Sequence, residues 1–243
     1  MTVRQRLMQI GAMADGTINR VRGALLLAQW ADPDLDPQPY HRHMDLLCED
    51  ARAYLHEDTP GAQLCAETVR QIVARRFGYS GVLSPNGQGE PGEQGDGANL
   101  AKVIDKRRGG GAALCIVYAH VLECLGITVE ILDFPPRPLI RIQDDAGQRL
   151  VLDPLNGGNI LHAQGLRKLF RDHRGGDGAL DPFQLHPLSH RDILVALQDQ
   201  VKVHHLRMAA PEAALAALEA ALLIAPETAR LWQIGRASCR ERV

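Results

Sequence analysis

Five cysteines, at positions 48, 65, 115, 124 and 239, are the strongest nucleophiles and soft-metal ligands in the chain. Their odd number and irregular spacing, with no CxxC pair, predict reduced thiols rather than a disulfide framework and exclude a zinc ribbon. Cys115 lies inside the apolar run 112–125. A thiol there is either a nucleophile or a small buried hydrophobe, and with no histidine set beside it the buried reading is preferred. His120, Glu123 and Cys124 share one helix face at i, i+3 and i+4. No third ligand is evident for a metal, so a structural histidine beside a buried cysteine is expected. His41-x-His43 and His204-His205 lack partners at any familiar metal spacing, and Lys106-Arg-Arg108 opposes a helix C-terminal dipole or receives an acidic partner. Asp153-Pro-Leu-Asn156 closes a strand and caps a turn.

These residues must be positioned by 243 residues that are 45% apolar and only 4% aromatic, with a formal charge of −2. That is a soluble, globular composition without a basic block, and no nucleic-acid partner is expected. No apolar run approaches the ~18 residues of a membrane span. The run 24–28 is too short and too deep for a signal peptide, so the expected location is cytoplasmic, with no membrane partner.

Helical spacing predicts helices over 3–28, 39–55 and 62–77. The glycine-rich run 84–97 reads as a surface loop. Its literal GxGxxG (Gly87, Gly89, Gly92) lacks the flanking strand and helix of a dinucleotide site, and neighbouring acids would repel a pyrophosphate. Asn99 caps a helix over 100–107, Gly109 to Gly111 break it, and 112–125 is apolar on most of its circumference, as expected of a central buried helix. The period then changes to two. Runs 127–134, 139–143 and 149–153 predict three antiparallel strands, the last two joined by a hairpin turn at Asp144 to Gly147. Glycine pairs at 157–158 and 175–176 bracket a short helix. Alanine- and leucine-rich helices follow at 193–206 and 211–225. Pro226 stops the second and a new helix starts near Trp232, the cadence of a tetratricopeptide repeat whose apolar face awaits a following repeat. Residues 234–243 break this pattern, resemble the translation of a sequencing-adapter read-through, and are set aside as non-native, the natural chain being expected to run on past Gln233.

The run from Asn99 to Gly109, then Ala113-Leu, Tyr118 and His120, then Phe134-Pro, Arg141-Ile and Leu152-Asp-Pro-Leu-Asn-Gly-Gly158, resembles the SirB-type bacterial proteins. That family joins a transglutaminase-like domain to tetratricopeptide repeats, and Leu194 to Lys202 and Leu215 to Trp232 resemble its C-terminal part. The resemblance implies an α+β fold: a helical N-terminal part, a helix on an antiparallel sheet, and a C-terminal helical pair. It divides the chain into 1–185, 186–233 and the set-aside 234–243. It also implies a papain-like site, with a cysteine at the start of the central helix, a histidine on the following strands and an aspartate after it. Here the helix start carries Gly110 and Gly111, the histidine position aligns with Arg137, and only the acid is retained, as Asp153. Arginine cannot act as a base near neutral pH.

The expectation is a non-catalytic scaffold or regulatory binding module, with no cofactor and no metal. Its C-terminal helices would contact a protein partner. Arg137, Arg141, Asp153 and Asn156 would line the vestigial cleft, or Arg137, Arg141 and Asp153 would form internal ion pairs. Two alternatives stay open at this point: a hydrolase or acyltransferase using Cys115, and a small-molecule binder using the cleft.

Overall fold

A computed structural model describes residues 1–55, 60–82, 95–174 and 185–228. The GxGxxG run, the second glycine pair, the helix expected near Trp232 and residues 234–243 fall outside them. The expected first helix is two. Helix α1 (Val3–Ala12) begins with a reciprocal cap between Thr2 and Gln5. A short 3-10 turn at Asp15–Thr17 follows, and Asn19 starts α2 (Arg20–Ala31) by accepting from the Arg22 amide at 2.9 Å. Asp15-Gly16 and the Asn19 cap are the local reason for the break. Helix α3 spans Gln38–Tyr54, and α4 (Ala62–Val69) runs on into a wider π-helical turn at Arg70–Arg76.

Strand β1 (Ser80–Gly81) pairs in parallel with β2 (Arg108–Gly109), enclosing α5 (Leu100–Lys106) between them in sequence. The central helix α6 (Gly111–Cys124) is buried at every residue from Gly111 to Ala119. Such a helix must be covered on all sides, and each buried Leu or Ile contributes about 1.5–3 kcal/mol. Strands β3 (Thr128–Asp133), β4 (Leu139–Gln143) and β5 (Arg149–Asp153) supply one cover. With β6 (Asn159–Ile160) and β7 (His186–Pro187) they form an antiparallel sheet in the order β6-β5-β4-β3-β7. Registers Ile131↔Ile140 and Ile140↔Leu152 align one apolar face, which joins the same core as α6. On the opposite face Leu139 packs with Phe134, Leu166 and Phe170, the last two from α7 (Ala163–Arg174). The sheet is thus layered between two helices. The β4–β5 hairpin turns where expected, with Gly147 at φ 82° and its amide on the Asp144 carbonyl at 2.9 Å.

Helices α8 (His190–Arg207) and α9 (Pro211–Ile224) pack as an antiparallel pair across a three-residue break, as the spacing predicts. Part of their apolar face is covered, however. Helix α1 lies on α9, and a Cβ at Gly11 would sit 2.3 Å from the Leu223 carbonyl oxygen, so only glycine permits this approach. Arg4 pairs with Glu219, and Trp30 Nε1 donates to the Ala216 carbonyl at 2.9 Å. Arg191 donates to the Ile10, Gly11 and Met13 carbonyls of α1 and to the Ile224 carbonyl of α9, joining two helix C-termini through one guanidinium. The cover comes from the N-terminal helices of the same chain, a long-range pairing that no local pattern announces. Among the described residues no helix is long and apolar enough to cross a membrane.

Asp15 makes this docking pH-dependent. Its carboxylate accepts the first two amides of α8, His190 and Arg191, each at 2.9 Å. Burial opposes ionisation, but those amides and the His190 charge outweigh it and hold the carboxyl pKa below its ordinary value. Unfolding therefore takes up a proton on acidification. The contribution is whole above the unfolded pKa of about 3.9 and is lost as pH falls through the lower folded value. Asp15→Ala is expected to cost about 1–2 kcal/mol at pH 7 by urea denaturation, with the difference from wild type shrinking below pH 4.

Candidate functional site

The start of α6 is built by backbone alone. The Gly110 amide donates to the Gly97 carbonyl at 2.8 Å, and no side chain caps the helix. Opposite it lies the β3–β4 connection carrying Arg137 and Pro138. A Cβ added to Gly111 would meet Pro138 Cδ at 3.1 Å and Arg137 Cβ at 3.5 Å. Arg137 then reaches the end of β5. Its Nε and Nη2 donate to the two carboxylate oxygens of Asp153, at 3.2 and 2.6 Å. Asp153 is fully buried, and the Arg137 side chain keeps 20% exposure. A two-pronged guanidinium–carboxylate pair in this setting is strong and geometrically specific.

Helix start, Arg137 and Asp153 therefore meet. The other two cleft candidates do not join them. Arg141 donates to Glu130 at 2.6 Å, its partner across the β3–β4 ladder, on the sheet face away from α6. Asn156 is exposed in the turn after Asp153. Cys115 lies one turn into α6, fully buried, its thiol donating to the Pro138 carbonyl at 3.5 Å. Burial pushes the thiol pKa up, the Asp153 charge adds to it, and Arg20 only partly opposes. The sulfur is a neutral thiol at physiological pH, and a thiol is not a nucleophile.

A second polar cluster gathers residues the sequence separates. His43 Nε2 lies 2.9 Å from the Tyr79 hydroxyl, and Arg107 Nη1 lies 2.8 Å from that nitrogen and 2.9 Å from that hydroxyl. Burial first, then the Arg107 charge, lowers the His43 pKa to about 4, so the ring is neutral at pH 7. Arg107 adopts φ 55°, a left-handed conformation rare outside glycine, where α5 ends. Neighbouring Lys102 and Lys106 are both held by Asp96.

The cysteines bring a correction. Cys48 and Cys124 form a disulfide, contrary to the expectation of reduced thiols throughout, with Cα atoms 5.9 Å apart and a sequence separation of 76. Packing of α3 on α6 creates the pair, and sequence spacing carries no trace of it. Cys65 and Cys115 are free and buried. The same packing supplies the partner that the His120/Cys124 pair lacked. The two sulfurs and a ring nitrogen of His120 lie within 4.8 Å of one another.

The chain is 32% identical over 196 residues to a UPF0162 protein of Xylella fastidiosa strain Temecula1, and 32% identical over 197 residues to that of strain 9a5c. Each match covers 77% of this chain and 65% of the relative's length. No solved structure matches the chain. The family model described as transglutaminase-like superfamily matches residues 38–199, from the start of α3 to within α8. With that span embracing the whole helix-on-sheet core and both Arg137 and Asp153, the chain belongs to the transglutaminase-like superfamily.

Proposed function

We propose that this is a non-catalytic member of the superfamily, a scaffold or regulatory module of the SirB type whose C-terminal helices contact a protein partner. One observation carries the reading: the guanidinium of Arg137 is locked onto Asp153 where the superfamily needs a base, against a helix start that bears glycine. Three roles are required for thiol catalysis, and they must be within hydrogen-bond reach of one another. Here the helix start supplies no thiol, Arg137 holds its protons at any physiological pH, and Asp153 orients a cation rather than an imidazole. Cys115 offers no substitute, because its sulfur is enclosed and paired to a backbone carbonyl. What remains is a rigid core that presents helices. The partner surface we assign lies where α8 ends and turns into α9, with Val203, Leu206 and Met208 exposed by 39%, 58% and 53%.

If the Arg137–Asp153 pair is structural, Arg137→Leu strands a buried carboxylate and is expected to cost about 3–5 kcal/mol. The double variant Arg137→Leu/Asp153→Leu should recover most of that loss in the same denaturation measurement. A neutral single variant would mean the pair does not brace the fold.

The partner surface is tested by affinity capture from a native bacterial lysate with the whole chain as bait. The Leu206→Glu/Met208→Glu variant is expected to retain its helical circular dichroism and to lose the proteins retained specifically by wild type. Identical retention by both baits would move the partner site elsewhere.

A further inference from the structure

The C-terminal end of α6 holds a group of ligands that the proposed function leaves unused. His120 and Cys124 stand one helical turn apart on α6, and Cys48 faces them from α3, its sulfur 4.0 Å from the His120 carbonyl oxygen. The three side chains bring their ligand atoms within 4.8 Å of one another on two packed helices rather than on loops. His120 Nε2 is enclosed and, among the described residues, has no hydrogen-bond partner. Buried ring nitrogens in folded proteins are almost always paired, so an unpartnered nitrogen on the histidine that stands with the two cysteines calls for a ligand. Two thiolates and an imidazole are the donor set of a borderline-soft d10 cation, and their two negative charges cancel those of a divalent ion inside a protein.

We propose that Cys48, His120 and Cys124 bind one Zn2+ ion per chain when the Cys48–Cys124 bond is reduced. A small-molecule dithiol supplies two electrons and two protons to the disulfide, giving two thiols, and leaves as its own cyclic disulfide. Zn2+ then displaces both thiol protons to solvent and takes the two thiolates and the His120 lone pair, with a water in the fourth position. Sulfurs on a tetrahedral zinc, each at about 2.3 Å from the ion, stand about 3.8 Å apart. The backbones of α3 and α6 are already close at these positions, with Cα atoms 5.9 Å apart. The reverse exchange, in which a small-molecule disulfide takes up the two electrons with two protons from solvent and leaves as thiols, closes the pair again and expels the ion, so the end of the central helix has two alternative covalent states.

The test uses Co2+ as a spectroscopic stand-in, added to the whole chain after reduction and removal of the reductant under anaerobic conditions. The expected result is one equivalent bound, with thiolate-to-cobalt charge-transfer bands and visible bands of tetrahedral intensity, both abolished by one equivalent of Zn2+. Cys48→Ser and His120→Ala are each expected to weaken binding at least tenfold, and Cys48→Ser to reduce the charge-transfer intensity. Cys65→Ser and Cys239→Ser should bind as wild type. Because loss of Cys48 can unfold the chain, the oxidised wild type serves as a folded control and should bind no cobalt. Absence of stoichiometric binding by the reduced wild type would overturn the proposal, as would equal binding by the oxidised form.

Discussion

The constraint on which this structure turns is that α6 is buried all the way round from Gly111 to Ala119. A helix of that kind has no face to give to water, so the chain must surround it: the sheet on one side, α2, α3 and α4 on others, α8 beyond. Surrounding a helix also fixes both its ends. At the N-terminal end the wrapping brings Arg137 and Asp153 together beside Gly111. At the C-terminal end it brings Cys48 against His120 and Cys124. These two chemically suggestive places are therefore consequences of one packing problem, solved at opposite ends of the same element.

At the first of these ends, the physics of the Arg137–Asp153 pair is what supports the proposed non-catalytic reading. A buried carboxylate is costly unless a cation or several donors satisfy it. In a catalytic member an imidazole does this while exchanging a proton with the nucleophile. A guanidinium satisfies both oxygens of Asp153 at once and gives up no proton, which favours a fixed structure over a reactive one. At the helix start, a side chain on Gly111 would crowd Pro138, whose Cδ would lie 3.1 Å from the added Cβ.

Much of this was legible in the sequence, for reasons that are local. The two-residue period of the strands, the Asp144 to Gly147 hairpin, the burial of α6 and the tight link between α8 and α9 are all written in runs of a few residues. Alternation alone also tells that Arg141, between inward-facing Ile140 and Ile142, must point away from α6, which the cleft assignment overlooked. Three features left no such trace. The pairing of Cys48 with Cys124, the cover that α1 and α2 give to α9, and the meeting of His43 with Tyr79 and Arg107 each depend on how distant elements pack. Among the candidate site residues, Arg137 and Asp153 are candidates because a family resemblance placed them, not because any spacing did.

The central proposal is that no thiol among the described residues is poised for catalysis, and the reactivity of Cys115 tests it most directly. The folded chain, at neutral pH and without denaturant, is treated with a small alkylating reagent, and labelling of the Cys115 peptide is followed by mass spectrometry. With its sulfur buried against the Pro138 carbonyl, Cys115 should remain unlabelled until the chain unfolds, then react completely in denaturant. Rapid stoichiometric labelling of Cys115 in the folded protein would contradict the account and restore a thiol enzyme.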